Sequence, residues 1–159
     1  MRKIYGFIMI SMIISCKQDV EYVEYHLPDN FVGTVLVVFD QAKFNYAIQK
    51  SDTIVYQIPE SGVLFVKNEN RYSGKIMPAY YKNSFGKTVR EINFFLPIMN
   101  NKIALNSSEI FIFNISSGSK MGKNGKKIHY DTFTIAPRNI ADSVANANIR
   151  LKGNVLDSL

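Results

Sequence analysis

The sequence predicts a mainly β fold: an antiparallel β-sandwich of immunoglobulin-like or transthyretin-like type with one short C-terminal helix. Three observations lead there. Short runs of aromatic and β-branched residues recur along the chain, separated by Gly, Pro, Asn, Asp and Ser, which is the pattern of strands and turns. Only one stretch, near the C-terminus, carries apolar residues at helical spacing. Apolar residues make up 47% of the chain and charged residues 20%, enough to build a core and too apolar for disorder.

Taken in order, Leu27-Pro28-Asp29-Asn30-Phe31 reads as a turn leading into Gly33–Phe39, a continuous β-branched run of the kind buried on both faces. Thr53–Ile58 and Val63–Lys67 flank Pro59-Glu60-Ser61-Gly62 and together look like a hairpin. Lys75–Tyr81, Arg90–Leu96, Glu109–Ile115 and Ile128–Ile135 continue the series at regular spacing. Ile110, Phe111, Ile112 and Phe113 are apolar on both faces, which suggests a central strand. From Pro137 to Leu151, Ile140, Val144, Ala147 and Leu151 share one face of a helix, with Pro137 at its start and Gly153 just past its end. No internal repeat is evident.

The first residues give the address. Arg2 and Lys3 precede an apolar run, Ile4–Ile14, that ends in Ser15-Cys16. At about 1.5 Å per residue this run makes roughly 16 Å of helix, half of the hydrocarbon thickness of about 30 Å, so it reads as a secretion signal rather than a span. Ile13-Ile14-Ser15-Cys16 resembles the lipobox of bacterial lipoproteins, which implies alkylation of the Cys16 thiol by a diacylglycerol bearing acyl chains such as palmitate, cleavage before Cys16, and acylation open to the new amino terminus. Cys16 is the sole cysteine, so no internal disulfide can form. The expected organisation is a signal peptide over 1–15, a lipidated cysteine and polar tether over 16–25, and the sandwich over 26–159. The expected location is a cell membrane or outer membrane, facing periplasm or cell surface. The formal charge of +6 falls to +4 once Arg2 and Lys3 leave with the signal, and export argues against nucleic acid as a partner. An envelope protein or glycan is the partner class that remains, beside the membrane itself.

Residues that carry chemistry are sparse. Ser116–Lys127 reads as a mobile hairpin loop rich in glycine and lysine. It lacks the spacing of a phosphate loop, since three residues separate Gly118 from Gly122 and Asn124 follows Lys123. If it acts, Lys120, Lys123, Lys126 and Lys127 form an anion-binding loop for a polyanion or phospholipid headgroups. His26 and His129 are the only imidazoles, and they match no metal-ligand spacing. His129 and Asp131 can share a strand face and, with a serine, would define an extracytoplasmic hydrolase, the alternative to a binding or structural module. Glu60, Glu69, Glu91 and Glu109 are scattered and read as solvated turn residues. Tyr22, Tyr25, Tyr72, Tyr80, Tyr81 and Tyr130 suit a sugar-binding face or, more simply, packing around sheets. No cofactor is implied.

The run Leu27-Pro28-Asp29-Asn30-Phe31-Val32-Gly33, followed by Tyr56-Gln57-Ile58-Pro59-Glu60-Ser61-Gly62-Val63-Leu64, resembles an uncharacterised family of exported lipoproteins found chiefly in Bacteroidota. The resemblance implies an envelope address and carries no activity or site residue with it.

Overall fold

The computed structural model describes residues 22–41, 48–50, 53–67, 79–83, 85–94 and 108–159. The leader, Cys16, Glu69, Tyr72 and parts of the expected strands at 75–81 and 90–96 lie outside these residues. The elements are β1 (Tyr22–Pro28), β2 (Gly33–Val38), β3 (Ile48–Lys50), β4 (Thr53–Gln57), β5 (Val63–Phe65), β6 (Ala79–Lys82), β7 (Thr88–Ile92), β8 (Ile110–Met121) and β9 (Lys127–Pro137). A single 3-10 turn, Arg138–Ile140, then leads into α1 (Ala141–Ser158). The strands form two mixed sheets, ordered β3-β4-β1-β6-β7 and β5-β2-β9-β8.

The expectation of antiparallel pairing throughout is corrected here: β1 pairs parallel to both β4 and β6, and β2 pairs parallel to β5. The cause is local. Thr53–Gln57 and Val63–Phe65 do not form a hairpin, because the Pro59–Gly62 turn carries the chain from one sheet to the other. The Pro28–Gly33 turn does the same for β1 and β2. Each unit is therefore an arch rather than a hairpin. The two arches stack, with Ile58 N donating to His26 O at 2.8 Å and Leu36 N to Gly62 O at 2.8 Å. Repetition that is hard to see in the letters is plain in space: two Pro-acidic turns, each closing a strand pair, lie one on the other.

Both turns require left-handed backbone, supplied by Asn30 at φ 58° and Gly62 at φ 74°. At Gly62 space is also short, since a Cβ would stand 2.6 Å from the backbone oxygen of Thr34 in the first arch. Gly62→Ala is expected to cost at least about 1–2 kcal/mol from backbone strain alone, read as a lowered urea midpoint with an unchanged slope. An unchanged midpoint would mean that the arches do not stack this closely.

The main core lies between the sheets. Val23, Leu27, Ile54, Tyr56, Ala79, Tyr81 and Ile92 from one sheet meet Val35, Val37, Leu64, Ile112, Phe133 and Ile135 from the other. Tyr81 completes the first arch by donating its hydroxyl to Phe31 O at 2.6 Å. Strand β2 is buried on both faces, as its β-branched run predicts, because α1 covers the opposite face of its sheet. There Leu36, Val38 and Ile128 pack on Leu156, while Phe111, Phe113 and Ala136 pack on Ala141 and Val144. The same covering explains β8. Its both-face apolarity suggests a central strand, yet it is the outermost strand of its sheet, flanked by the other sheet on one side and α1 on the other.

The helix exists where predicted but is longer and rotated. It runs through Gly153 to Ser158, which brings Leu156 into contact with the sheet and offsets the cost of about 1 kcal/mol for a glycine in a helix. Ile140 and Ala147 are exposed, and Ala141, Val144, Asn148, Lys152 and Leu156 point inward. Opposite the middle of α1 the sheet presents Thr34, Thr132 and Thr134. Thr34 and Thr134 hydroxyls lie 3.2 Å apart, and Thr132 donates to Val35 O at 2.9 Å. The helix is thus held by two apolar clusters with a polar band between them.

Desolvation by burial on this side of α1 lowers the pKa of Lys152. A lysine whose folded pKa lies below its unfolded value destabilises the fold at neutral pH, and the penalty fades as pH rises toward the ordinary value of 10.5. Lys152→Met is therefore expected to raise the thermal midpoint at pH 7, with the gain shrinking by pH 10.5. A gain independent of pH would assign the effect to packing instead.

Candidate functional site

Strand β1 begins at Tyr22, inside the stretch assigned to the tether, and Val23 is already part of the core. Five residues, 17–21, lie between Cys16 and the start of β1.

The basic segment is mostly strand rather than loop. Strand β8 continues through Met121 and pairs with β9 as far as Met121 with Lys127, leaving 122–126 as the turn. A bulge between Phe113 and Ser116, with Asn114 at φ 52°, shifts the register before this extension. The glycines that evoke a phosphate loop have structural duties. A Cβ on Gly118 would come 2.6 Å from the Tyr130 hydroxyl, so Gly118 lets Tyr130 lie across the hairpin. Gly125, at φ 74°, closes the turn, in which Gly122 N donates to Lys126 O at 2.9 Å.

The four lysines share this hairpin without forming a cradle. Lys120 faces α1 and pairs with Asp157. Lys126 pairs with Asp40 at 2.9 Å. Lys123 sits in the turn, and Lys127 opens β9 beside the exposed Met121. Two acidic side chains therefore answer two of the four cations, and the hairpin keeps a net positive charge.

His129 and Asp131 do share a face of β9, and Ser119 and Ser117 lie opposite them in the ladder. Ser117 Oγ donates to Asp131 Oδ1 at 2.6 Å. In a nucleophilic triad the serine bonds to the imidazole and the imidazole to the acid. Here the serine hydroxyl donates directly to the carboxylate rather than to an imidazole. The carboxylate also raises the pKa of Tyr25, after burial as the larger cause.

The outer face of the five-stranded sheet holds the other polar group. His26 Nε2 lies 3.0 Å from Glu24 Oε2, and the His26 ring meets Tyr80 edge-on at 6.2 Å. The Lys82 ammonium sits 5.5 Å from the Tyr80 ring centre. Burial first, then Glu91 and Glu24, raises the pKa of Tyr80. Of the other tyrosines described, Tyr25 meets Phe133 edge-on at 4.8 Å, Tyr81 is in the core and Tyr130 packs in the Leu156 cluster. Packing accounts for these three. Glu60 lies on the second arch turn, Glu91 on β7 and Glu109 just before β8, on three separate elements. Among the described residues no group of three His, Cys, Asp or Glu side chains is placed to hold a metal ion.

Comparison with known families gives a match over residues 19–144 to a family of unknown function, DUF6843. The chain belongs to this family. The DUF6843 region opens three residues after Cys16 and closes early in α1. It takes in both arches, all nine strands and the basic hairpin, and leaves out the leader and the Leu156–Asp157 end of the helix.

No curated protein matches the chain. Among solved structures, a crystal structure of a candidate lipoprotein from Bacillus anthracis is similar at a TM-score of 0.54 and 18% identity, covering 73% of this chain and 71% of that one. At that identity the likeness is one of fold.

Proposed function

We propose that this DUF6843 protein is a lipoprotein, exported by its leader and anchored by acyl chains on Cys16, with the folded domain serving as a binding or structural module of the cell envelope. The observation that carries the reading is the leader itself: an apolar run too short to span a bilayer that stops at the only cysteine in the chain. Three further facts support it. The family region begins just past Cys16. A protein of similar fold is itself named as a candidate lipoprotein. Among the described residues no helix is long and apolar enough to cross a membrane.

The role outside the cytoplasm follows from what the fold offers. The polar groups described lie on the outer face of the five-stranded sheet and on the β8–β9 hairpin, positions that suit contact with a surface or partner. The likeness of the two arch motifs to exported lipoproteins of Bacteroidota agrees with an envelope address. In a detergent phase separation the native protein is expected in the detergent phase. Recovery in the aqueous phase would remove the anchor and the proposal with it.

A further inference from the structure

We propose that the β8–β9 hairpin is the membrane-facing end of the domain and that its lysines dock on anionic phospholipid headgroups. The inference rests on the lipid-anchor reading and adds to it an orientation and a lipid preference.

Strand β1 runs from Tyr22 to the first arch turn, and β2 returns from that turn antiparallel to β9. Strands β1 and β9 therefore point the same way, and their starting ends lie at the same end of the sandwich. The contact between the Tyr25 and Phe133 rings, 4.8 Å apart, sets a common level for the two strands. From that level Tyr22 is three residues down β1, whereas Lys127 is six residues down β9. At about 3.3 Å per residue the hairpin extends roughly 10 Å beyond the start of β1, and its turn reaches further still. Cys16 lies six residues before Tyr22, so the lipid is within about 20 Å of Tyr22 even with the chain fully extended. A bilayer held that close on this side faces the hairpin turn, with Asp40 and the Asp157 end of α1 beside it.

The hairpin's surface fits such a neighbour. Lys120, Lys123, Lys126 and Lys127 outnumber Asp40 and Asp157, the two acids paired with them. Both pairs are solvent-exposed, and exposed ion pairs hold weakly enough to open toward phosphates. Met121, 61% exposed beside Lys127, adds an apolar side chain at headgroup level. Basic segments next to a lipid anchor supply the second attachment that a charged membrane surface recognises.

The test uses the mature lipidated chain with Met121→Cys, carrying an environment-sensitive fluorophore at that position, in vesicles containing phosphatidylglycerol and a headgroup-attached quencher. Cys16, once alkylated, does not react, and Asp29→Cys on the arch turn serves as the distal control. Quenching at position 121 is expected to exceed that at 29 several-fold, and to fall toward the control in phosphatidylcholine vesicles, in high salt, or when all four lysines become glutamine. Equal quenching at the two sites, or quenching at 121 indifferent to lipid charge, in protein that floats with the vesicles overturns the docking and leaves the anchor standing. Protein that fails to float and takes label at Cys16 overturns both.

Discussion

Cys16→Ser is expected to abolish acylation completely and to leave a chain that still begins at Met1. The proposed modification is a thiol alkylation, and a serine hydroxyl, far less nucleophilic than a thiolate, does not substitute for a thiol in it. Processing of this type of leader follows acylation, so the variant keeps its apolar run. The energetic consequence is large. Each acyl methylene buried in the bilayer contributes about 0.8 kcal/mol, and two or three chains give attachment that one chain alone does not. Labelling cells with an alkyne-tagged fatty acid checks this: the native protein takes label and the variant falls to background. Equal labelling of the variant would place the lipid on another residue.

Phe133→Ala is expected to cost about 3–5 kcal/mol, the upper range for core truncations. Phe133 projects from β9 into the space between the sheets, where the Tyr25 ring from the opposite sheet meets it edge-on. Its loss opens a cavity where the two sheets meet and removes an aromatic pair. Domain stabilities run at about 5–15 kcal/mol, so the variant should sit near the edge of folding. A urea titration followed by circular dichroism reads the shift. A loss below about 1 kcal/mol would mean that the sheets do not share this core.

Much of the fold is legible in the sequence where one face pattern has one explanation. Gly33–Phe39 shows its burial on both faces because β-branched residues stand on both sides of β2, and the apolar periodicity after Pro137 shows a helix. Other features depend on partners distant in sequence. Nothing within Pro59–Gly62 distinguishes a turn that folds a strand back onto its neighbour from one that hands it to the opposite sheet; that depends on Thr34 and Leu36 lying against it. The helix face is misjudged because Ile140 belongs to the 3-10 turn and because Asn148 and Lys152, facing a threonine band, break the apolar rhythm.

The basic segment shows the same limit. Glycine, serine and lysine compose poorly as a strand, yet β9 supplies a full ladder of backbone partners, and Gly118 makes room for Tyr130. The four lysines of this segment are legible in the sequence. Their place at the same end as Tyr22 is not, because it depends on two reversals of chain direction. The Glu24–His26–Tyr80 group is likewise missed, since a parallel pairing between β1 and β6 brings it together.

Intact and fragment mass spectrometry of the protein purified from its native membrane tests the anchor most directly. The predicted result is an N-terminal peptide that begins at Cys16 and carries a diacylglyceryl thioether, with or without an acylated amine. A peptide that retains Met1, or a mature chain with a free Cys16 thiol, would contradict it.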